Sequence, residues 1–352
     1  MVNERQHFLP RFLLKGFASR REGKDVYTWV FRRGSLPFET TIINIGVSKK
    51  FYDLDEDNHQ LDDMITDIEN TFATCIDELR SQTSEGQLLE PEIPELVTHL
   101  MLRTKYLRDS FSRSANYLFD ALLSAMKRPD VFEKALLNHL KTHPEEFWNQ
   151  MPGSQHSTRK QKAVFMKSVV SLMPALLREQ QPQIAMILDS TKQYISANLE
   201  RLAKNSHVKA LTTNLLPEAR VDFARELNWF LIIREKGTFI LGDVGVVSKI
   251  ERKGRLKPLP DVSDQVEQIW LPISDTHLVT GLKTNQEMVE LDIEVINQGT
   301  SSLSHDFFIS SKISEYEDRF AEVLGTNSGI FSDEELEKIV QEVLKSSLGL
   351  SG

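Results

Sequence analysis

A histidine and an arginine stand four residues apart at the start of the chain, in Gln6-His7-Phe8-Leu9-Pro10-Arg11-Phe12-Leu13-Leu14-Lys15-Gly16-Phe17. An imidazole exchanges protons near neutral pH, and a guanidinium grips planar or tetrahedral oxyanions through paired N–H groups. Together they suit work at a phosphate. Chain ends are ordinarily polar and frayed, yet Phe8, Leu9, Phe12, Leu13 and Phe17 demand burial and would fix His7 and Arg11 in place. Two other spacings are weaker. His139 and His143 have the i, i+4 interval of a helical zinc pair, but Pro144 biases His143 away from helical geometry and no glutamate lies between them. Arg201 and His207 have the arginine-to-histidine interval of a class of all-helical ribonucleases, a pattern loose enough to arise by chance. No phosphate-binding glycine loop, Gly-x-Ser-x-Gly elbow or dinucleotide fingerprint occurs, which argues against ATPases, serine hydrolases and dinucleotide-dependent dehydrogenases.

Composition narrows the setting. The 352 residues are 40% hydrophobic and 26% charged, a globular balance sized for about two domains. The single cysteine, Cys75, excludes an internal disulfide framework and a cysteine-rich zinc site, and points to a reducing compartment. No apolar stretch approaches the ~18–20 residues that span a bilayer, and the N-terminus has no signal-peptide core. The expected setting is soluble and cytoplasmic, with no membrane partner. The net charge of −9 is unevenly spread. Residues 1–50 hold ten Lys/Arg against four acids, and residues 51–95 hold fourteen acids against Arg80 alone. The two segments are solvated faces of opposite sign, or they face each other, or the basic one meets a polyanion.

The elements that must position these residues read as α+β, predominantly helical. A short helix spans about Pro10 to Ala18, with proline suited to its first turn. Strands follow at Asp25–Arg32 and Thr40–Ile45. From residue 61 to 215 the pattern is helical: Met64, Ile65, Ile68, Phe72, Cys75, Ile76 and Leu79 form one apolar stripe. A long helix starts near Leu96 and runs past Leu122, with further helices near 130–141, 158–178 and 183–205. Strand character returns at Asn228–Arg234, which turns at Glu235-Lys236-Gly237 into a partner strand, Thr238–Asp243. A basic, Pro-rich loop with Lys253-Gly254-Arg255 precedes strands at Gln268–Ile273 and His277–Gly281. A helix near 288–303, a strand at Phe307–Ile309 and two closing helices follow, the last with a Ser332/Glu335 capping box. An isolated hairpin is only marginally stable, so the N-terminal strands are expected to join the C-terminal ones in a mixed or antiparallel sheet around the helical block. The expected segments are 1–60, 61–215, 216–312 and 313–352.

The chain resembles a widespread bacterial family defined only as a domain of unknown function. Its members open with Gln/Lys-His-x-x-Pro-x-Phe-x-Leu-x-x-Phe, matched from Gln6 to Phe17. The likeness continues at Trp29-Val30-Phe31, Phe51-Tyr52, Ile68-Glu69, Arg103-Thr104, Phe239–Asp243, Leu271–Ser274 and Ile296-Asn297. The family usually has Ser-Asp-x-Pro where this chain has Gly242-Asp243-Val244-Gly245. The resemblance implies a bacterial or mobile-element origin and no established activity. It singles out His7, Arg11, Glu69, Arg103, Asp243 and Asn297.

These residues support two readings. In the first, the protein is a phosphodiester-cleaving, RNase-like effector, of the kind a defence system uses. His7 would be its general acid/base, Arg11 and Arg103 would neutralise the phosphorane, and Asp243 or Glu69 would orient the histidine. In the second, it is a non-catalytic sensor or binding module for a nucleotide, nucleic acid or acidic partner at the basic N-terminal surface. Neither reading specifies a cofactor. The amphipathic helices near 183–205 and 332–347 fit either homo-oligomer formation or packing in the core or on the surface.

Overall fold

The computed structural model describes residues 5–53, 60–235, 239–251, 255–261, 263–283, 292–329, 331 and 333–348, with backbone alone at Gln60, Asp333 and Ser347. The chain divides into two compact units: Met1–Ser110 with Leu202–Ile330, and Phe111–Arg201 with Phe331–Gly352.

The first unit contains antiparallel strands in three groups. The largest sheet runs Leu256–Lys257, Val247–Ile250, Val266–Pro272, His277–Lys283, Leu227–Ile233 and Gly86–Leu88. Six of the seven residues of His277–Lys283 are buried, the polar His277 and Thr280 among them, so both faces of this strand are covered. The second sheet joins the two ends of the sequence. Asp25–Phe31 pairs with Phe308–Ser310 in the register Trp29 to Ser310, Val30 to Ile309 and Phe31 to Phe308. Phe31 and Phe308 stack with ring centroids 4.7 Å apart, a cross-strand aromatic pair of the stabilising kind. Arg20–Glu22, Phe38–Thr41 and Leu241–Gly242 complete this sheet. A two-stranded ribbon pairs Arg5–His7 with Val47–Lys49. The architecture is thus predominantly helical α+β, with antiparallel sheets built from N- and C-terminal strands.

Several elements differ from their sequence reading. The long helix from Leu96 breaks into Glu92–Leu102 and Lys105–Met126. No glycine or proline marks the break; it falls at Arg103, which leaves the helical region at φ −93° and ψ 0° and whose side chain is held from four sides, as described below. Asn228–Arg234 and Thr238–Asp243 do not form a hairpin. Leu227–Ile233 pairs with His277–Lys283 and Gly86–Leu88, while Leu241–Gly242 pairs with Phe308–Ser310. Non-local partners overrode the local turn signal, whose Lys236 and Gly237, with Thr238, lie outside the described residues. The strand expected at Thr40–Ile45 ends at Thr41 and gives way to a 3-10 turn at Ile42–Asn44.

The separate helices expected near 158–178 and 183–205 belong to one helix, Arg159–Thr213, with Pro174 and Pro182 inside it. Each proline removes a single N–H, and neither is followed by a turn residue. The loop expected at Pro144–Ser157 includes a short helix, Pro144–Gln150. The helix near 288–303 is described as Ile293–Leu303. Lys253-Gly254 and the Ser332 capping box lie outside the described residues. Among the described residues no helix is long and apolar enough to cross a membrane.

Candidate functional site

The N-terminal signature is sewn into the first unit through its main chain. The Gln6 side chain is buried; its Oε1 accepts from the Tyr52 amide at 2.6 Å and its Nε2 donates to Asp53 Oδ1 at 2.8 Å. Phe8 and Leu9 amides donate to the Gly46 carbonyl at 2.8 and 3.3 Å. Gly46 has φ +58°, and a Cβ there would meet Leu9 Cβ at 2.7 Å, so both conformation and space require glycine. Arg80 closes the other end. Its Nη1 and Nη2 donate to the Phe12 and Leu13 carbonyls at 2.9 and 3.0 Å, and its Nε donates to Ile273 O at 2.8 Å. Both carbonyls lie at the C-terminal end of the short helix Arg11–Leu14, where intrahelical donors run out; that of Leu13 also accepts from the Lys15 amide. Burial lowers the Arg80 guanidinium to about 10.

His7, Glu69 and Arg103 come together. Arg103 is 1% exposed. Its Nε donates to Tyr52 Oη at 2.9 Å, its Nη1 donates to His99 Nε2 at 3.2 Å and pairs with Glu69, and its Nη2 donates to the His7 carbonyl. The guanidinium thus holds the His7 backbone, not its ring. Burial, with Arg11 and Arg103 nearby, depresses the His7 imidazole to about 4, so it is neutral at pH 7. Its Nδ1 is buried without a hydrogen-bond partner. Burial depresses His99 to about 4 as well.

Arg11 is exposed at the start of its helix. Asp243 and Asn297 are engaged elsewhere. Asp243 Oδ1 accepts from the His305 amide at 2.7 Å, and its Oδ2 accepts from Asp306 and Phe307 amides at 2.6 and 3.3 Å. Burial still raises this carboxyl to about 7, against those three amides. Asn297 is fully buried; its Oδ1 accepts from the Ile240 amide at 3.2 Å and its Nδ2 donates to Tyr316 Oη at 3.3 Å. The six residues therefore divide into one cluster around Arg103, an exposed Arg11 and two separate main-chain anchors.

The ribonuclease-like interval and the histidine pair also resolve. His207 is held by Arg108, whose Nε donates to His207 Nδ1 at 2.8 Å, and by the Leu102 carbonyl at 2.6 Å, while Arg201 donates to Asn198 at 3.0 Å. Burial, with Arg108 beside it, lowers His207 to about 4. His143 ends its helix, and His139 and His143 stack 5.0 Å apart. Among the described residues no group of three or more His, Cys, Asp or Glu could hold a metal ion.

Sequence reasoning missed a cleft. It measures about 210 Å³ and is walled by Arg32, Thr40, Asn44, Ser48, Lys105 and Asp306, with Phe8 and Phe307 among its apolar lining. Asp243 fixes the His305–Phe307 turn that forms one wall, so this buried carboxylate acts on the cleft through the backbone. Lys105 pairs with Asp306 at 2.8 Å and with Asp109 at 3.2 Å; burial works against its charge, and the two carboxylates outweigh it and raise the ammonium. Arg32 is exposed, its guanidinium 5.6 Å from the centre of the Phe38 ring. The available signal was the basic run of residues 1–50, which supplies Arg32.

A family model described as "Protein of unknown function (DUF4238)" matches residues 5–323. The chain belongs to this family. The match spans the Gln6–Phe17 segment, the Arg103 cluster and the residues of the cleft, so family DUF4238 includes every part of the candidate site. No curated protein and no solved structure matches the chain.

Proposed function

We propose that this member of family DUF4238 is a binding module whose ligand occupies the cleft beside Arg32. One observation carries the reading: two of the groups expected to do phosphoryl chemistry, Arg103 and Asp243, are engaged inside the fold. Arg103 donates to Tyr52, His99 and the His7 carbonyl while pairing with Glu69, and both Asp243 oxygens accept from backbone amides. Neither is free to meet a phosphorane, which needs donors aimed at the developing charge. The cleft, by contrast, offers an exposed guanidinium, the Ser48 and Thr40 hydroxyls, and the Phe8 and Phe38 rings. That combination fits a ligand with an anionic group and a flat apolar part, as in a nucleotide.

The test is thermal unfolding of the full chain with mononucleotides and short RNA. A ligand at ~100 times its Kd adds about 2.7 kcal/mol of stability, and Arg32→Ala should abolish the shift. The phosphodiesterase reading retains one observation, the unpartnered Nδ1 of His7, and predicts the opposite. Expressed in bacteria, the wild-type chain would degrade RNA and slow growth, and His7→Ala would not. RNA cleavage lost with His7→Ala would overturn the binding reading.

A further inference from the structure

Cations stand at two separated parts of the cleft's rim. Val30 pairs with Phe38 and Tyr27 with Thr41, so Arg32 lies beyond one end of this paired segment and Asn44 beyond the other. At the first end the Arg32 guanidinium is beside the Phe38 ring, and Arg33 follows on the exposed turn that joins Asp25–Phe31 to Phe38–Thr41. At the second, Arg5 reaches the lining residue Asn44. Its Nη2 donates to Asn44 Oδ1 at 3.1 Å and to the Ile43 carbonyl at 3.2 Å. Lys49 is exposed and stands opposite Arg5 in the two-stranded ribbon.

Negative charge on this rim is already committed. Asp306, the one carboxylate that lines the cleft, is taken by Lys105. Glu39 alternates with the lining residues Phe38 and Thr40 and so points to the other face of the strand, where Ser19 and Arg20 donate to it at 2.6 and 2.8 Å. Among the described residues no carboxylate pairs with Arg32, Arg33 or Lys49. Apolar side chains are exposed at both ends as well: Leu36 by 88% beside Arg33, and Ile43 by 40% beside Asn44, with Phe38 at 41% between them.

A single nucleotide seated on Phe38 brings its phosphate to Arg32. It leaves Arg33, Lys49, Leu36 and Ile43 without a role. A ligand that repeats an anion and a flat ring engages both ends at once. A run of unpaired nucleotides does this, because single-strand sites combine a basic groove along the backbone with aromatic platforms for the bases. A duplex keeps its bases in the stack and cannot lay one on Phe38. The paired segment Phe38–Thr41 is ~10 Å long, and at the ~3.4 Å rise of a stacked strand this corresponds to about three nucleotides.

We propose that the cleft is the central part of a groove for single-stranded nucleic acid. One base packs on Phe38, the phosphate to one side of it meets Arg32 and Arg33, and the phosphate to the other side meets Arg5 and Lys49. This rests on the cleft being a ligand site and adds the class of the ligand.

Fluorescence anisotropy of the full chain with end-labelled uridylates of one, three and six nucleotides tests it, with a dT hexamer, a duplex RNA and phosphatidylserine vesicles alongside. The trimer should bind about tenfold more tightly than the monomer, and the hexamer little better than the trimer. Three neutralised phosphates give a salt slope near −2, so raising salt from about 50 to 200 mM should weaken the hexamer about 20-fold. Arg33→Ala and Lys49→Ala should each flatten that slope by about 0.7, which a general loss of folding does not do. Phe38→Ala should weaken the hexamer about tenfold. Uridylate and dT hexamers bound alike make the groove a general single-strand site, and one bound alone names its source as RNA or DNA. A mononucleotide bound as tightly as the hexamer overturns the inference and leaves the cleft as a ligand site; no binding at any length overturns both. Duplex RNA bound as tightly as the single strand, or retention on the vesicles without oligonucleotide binding, also overturns it.

Discussion

The first unit buries polar groups and the second exposes apolar ones. Around Arg103 a guanidinium, a carboxylate, a phenol and two histidines lie in or against the core, each placed by a specific partner. On helix Arg159–Thr213 eight large apolar side chains face solvent, Leu172, Ile187 and Tyr194 among them, while its ion pairs, Lys192–Asp120 among them, are half-exposed. Buried ion pairs are sensitive to loss of one partner, because the survivor is left charged and desolvated. Exposed pairs and exposed apolar groups contribute little to folding. The comparison teaches that chemistry-bearing residue types can be fold determinants, and that apolar residues can be available for recognition.

The strongest way to break this contrast is Arg103→Ala. It leaves Glu69 unpaired and the His7 carbonyl without its donor, and we expect a loss of about 3–5 kcal/mol in urea unfolding. Arg103→Lys should recover little, since an ammonium lacks the fork that reaches Tyr52, His99 and the His7 carbonyl together. A near-neutral Arg103→Ala would show that the cluster is not structural.

Acid should act on the same unit. His7, His99 and His207 sit near 4 when folded against an ordinary 6.5. The unfolded chain therefore takes up protons between pH 6.5 and 4 while the folded one does not. Their stabilisation is present above 6.5 and is lost as pH falls to 4, at most about 3 kcal/mol for each. Asp243 opposes them. Raised to about 7 from 3.8, it binds its proton more readily in the folded state and offsets roughly one histidine over that interval. The urea midpoint should fall between pH 6.5 and 4.5; a flat or rising midpoint would contradict the burial of these imidazoles.

A smaller effect is expected from Asp243→Asn, about 1–3 kcal/mol. The amide group places N–H donors against the backbone N–H groups of residues 305–307. It should also weaken ligand-induced stabilisation at the cleft beyond the stability loss, because Asp306 stands on the turn that Asp243 holds. The smallest effect belongs to the second unit. Leu176, half-exposed on helix Arg159–Thr213, should on replacement by Gln alter the unfolding free energy by less than ~0.5 kcal/mol, and a loss of ~2 kcal/mol or more would mean that this side chain is packed.

Amphipathic periodicity made the helix Gln60–Ser81 legible, since Ile65, Phe72, Ile76 and Leu79 are buried at the expected steps. The joining of N- and C-terminal strands was legible because a lone hairpin needs a partner. The break at Arg103 was not, because nothing in Arg103-Thr104 stops a helix locally. The pairing of Leu241–Gly242 with Phe308–Ser310 was not either, since the contact spans more than sixty residues. At the candidate site, the nearness of His7, Glu69 and Arg103 could be anticipated from the resemblance, but not that the guanidinium would bind the histidine's carbonyl. Gln6 and Arg80 carried weak signals: one reads as an ordinary polar terminus, the other as a lone base in an acidic run.

Gly16 lies where the chain's beginning meets its later part. A Cβ there would stand 2.1 Å from Ile273 O and 2.5 Å from Arg80 Nη2, and the Gly16 carbonyl accepts from the Asp275 amide at 3.2 Å. During synthesis the Gln6–Phe17 segment thus waits for partners made some 260 residues later. At ~5–20 residues per second that delay is roughly 13–50 s, with Phe8, Leu9, Phe12 and Phe17 lacking their final shelter. Nascent chains of this protein should therefore depend on holding chaperones until translation passes Asp275, and truncation before that point should give aggregates instead of a smaller soluble fold.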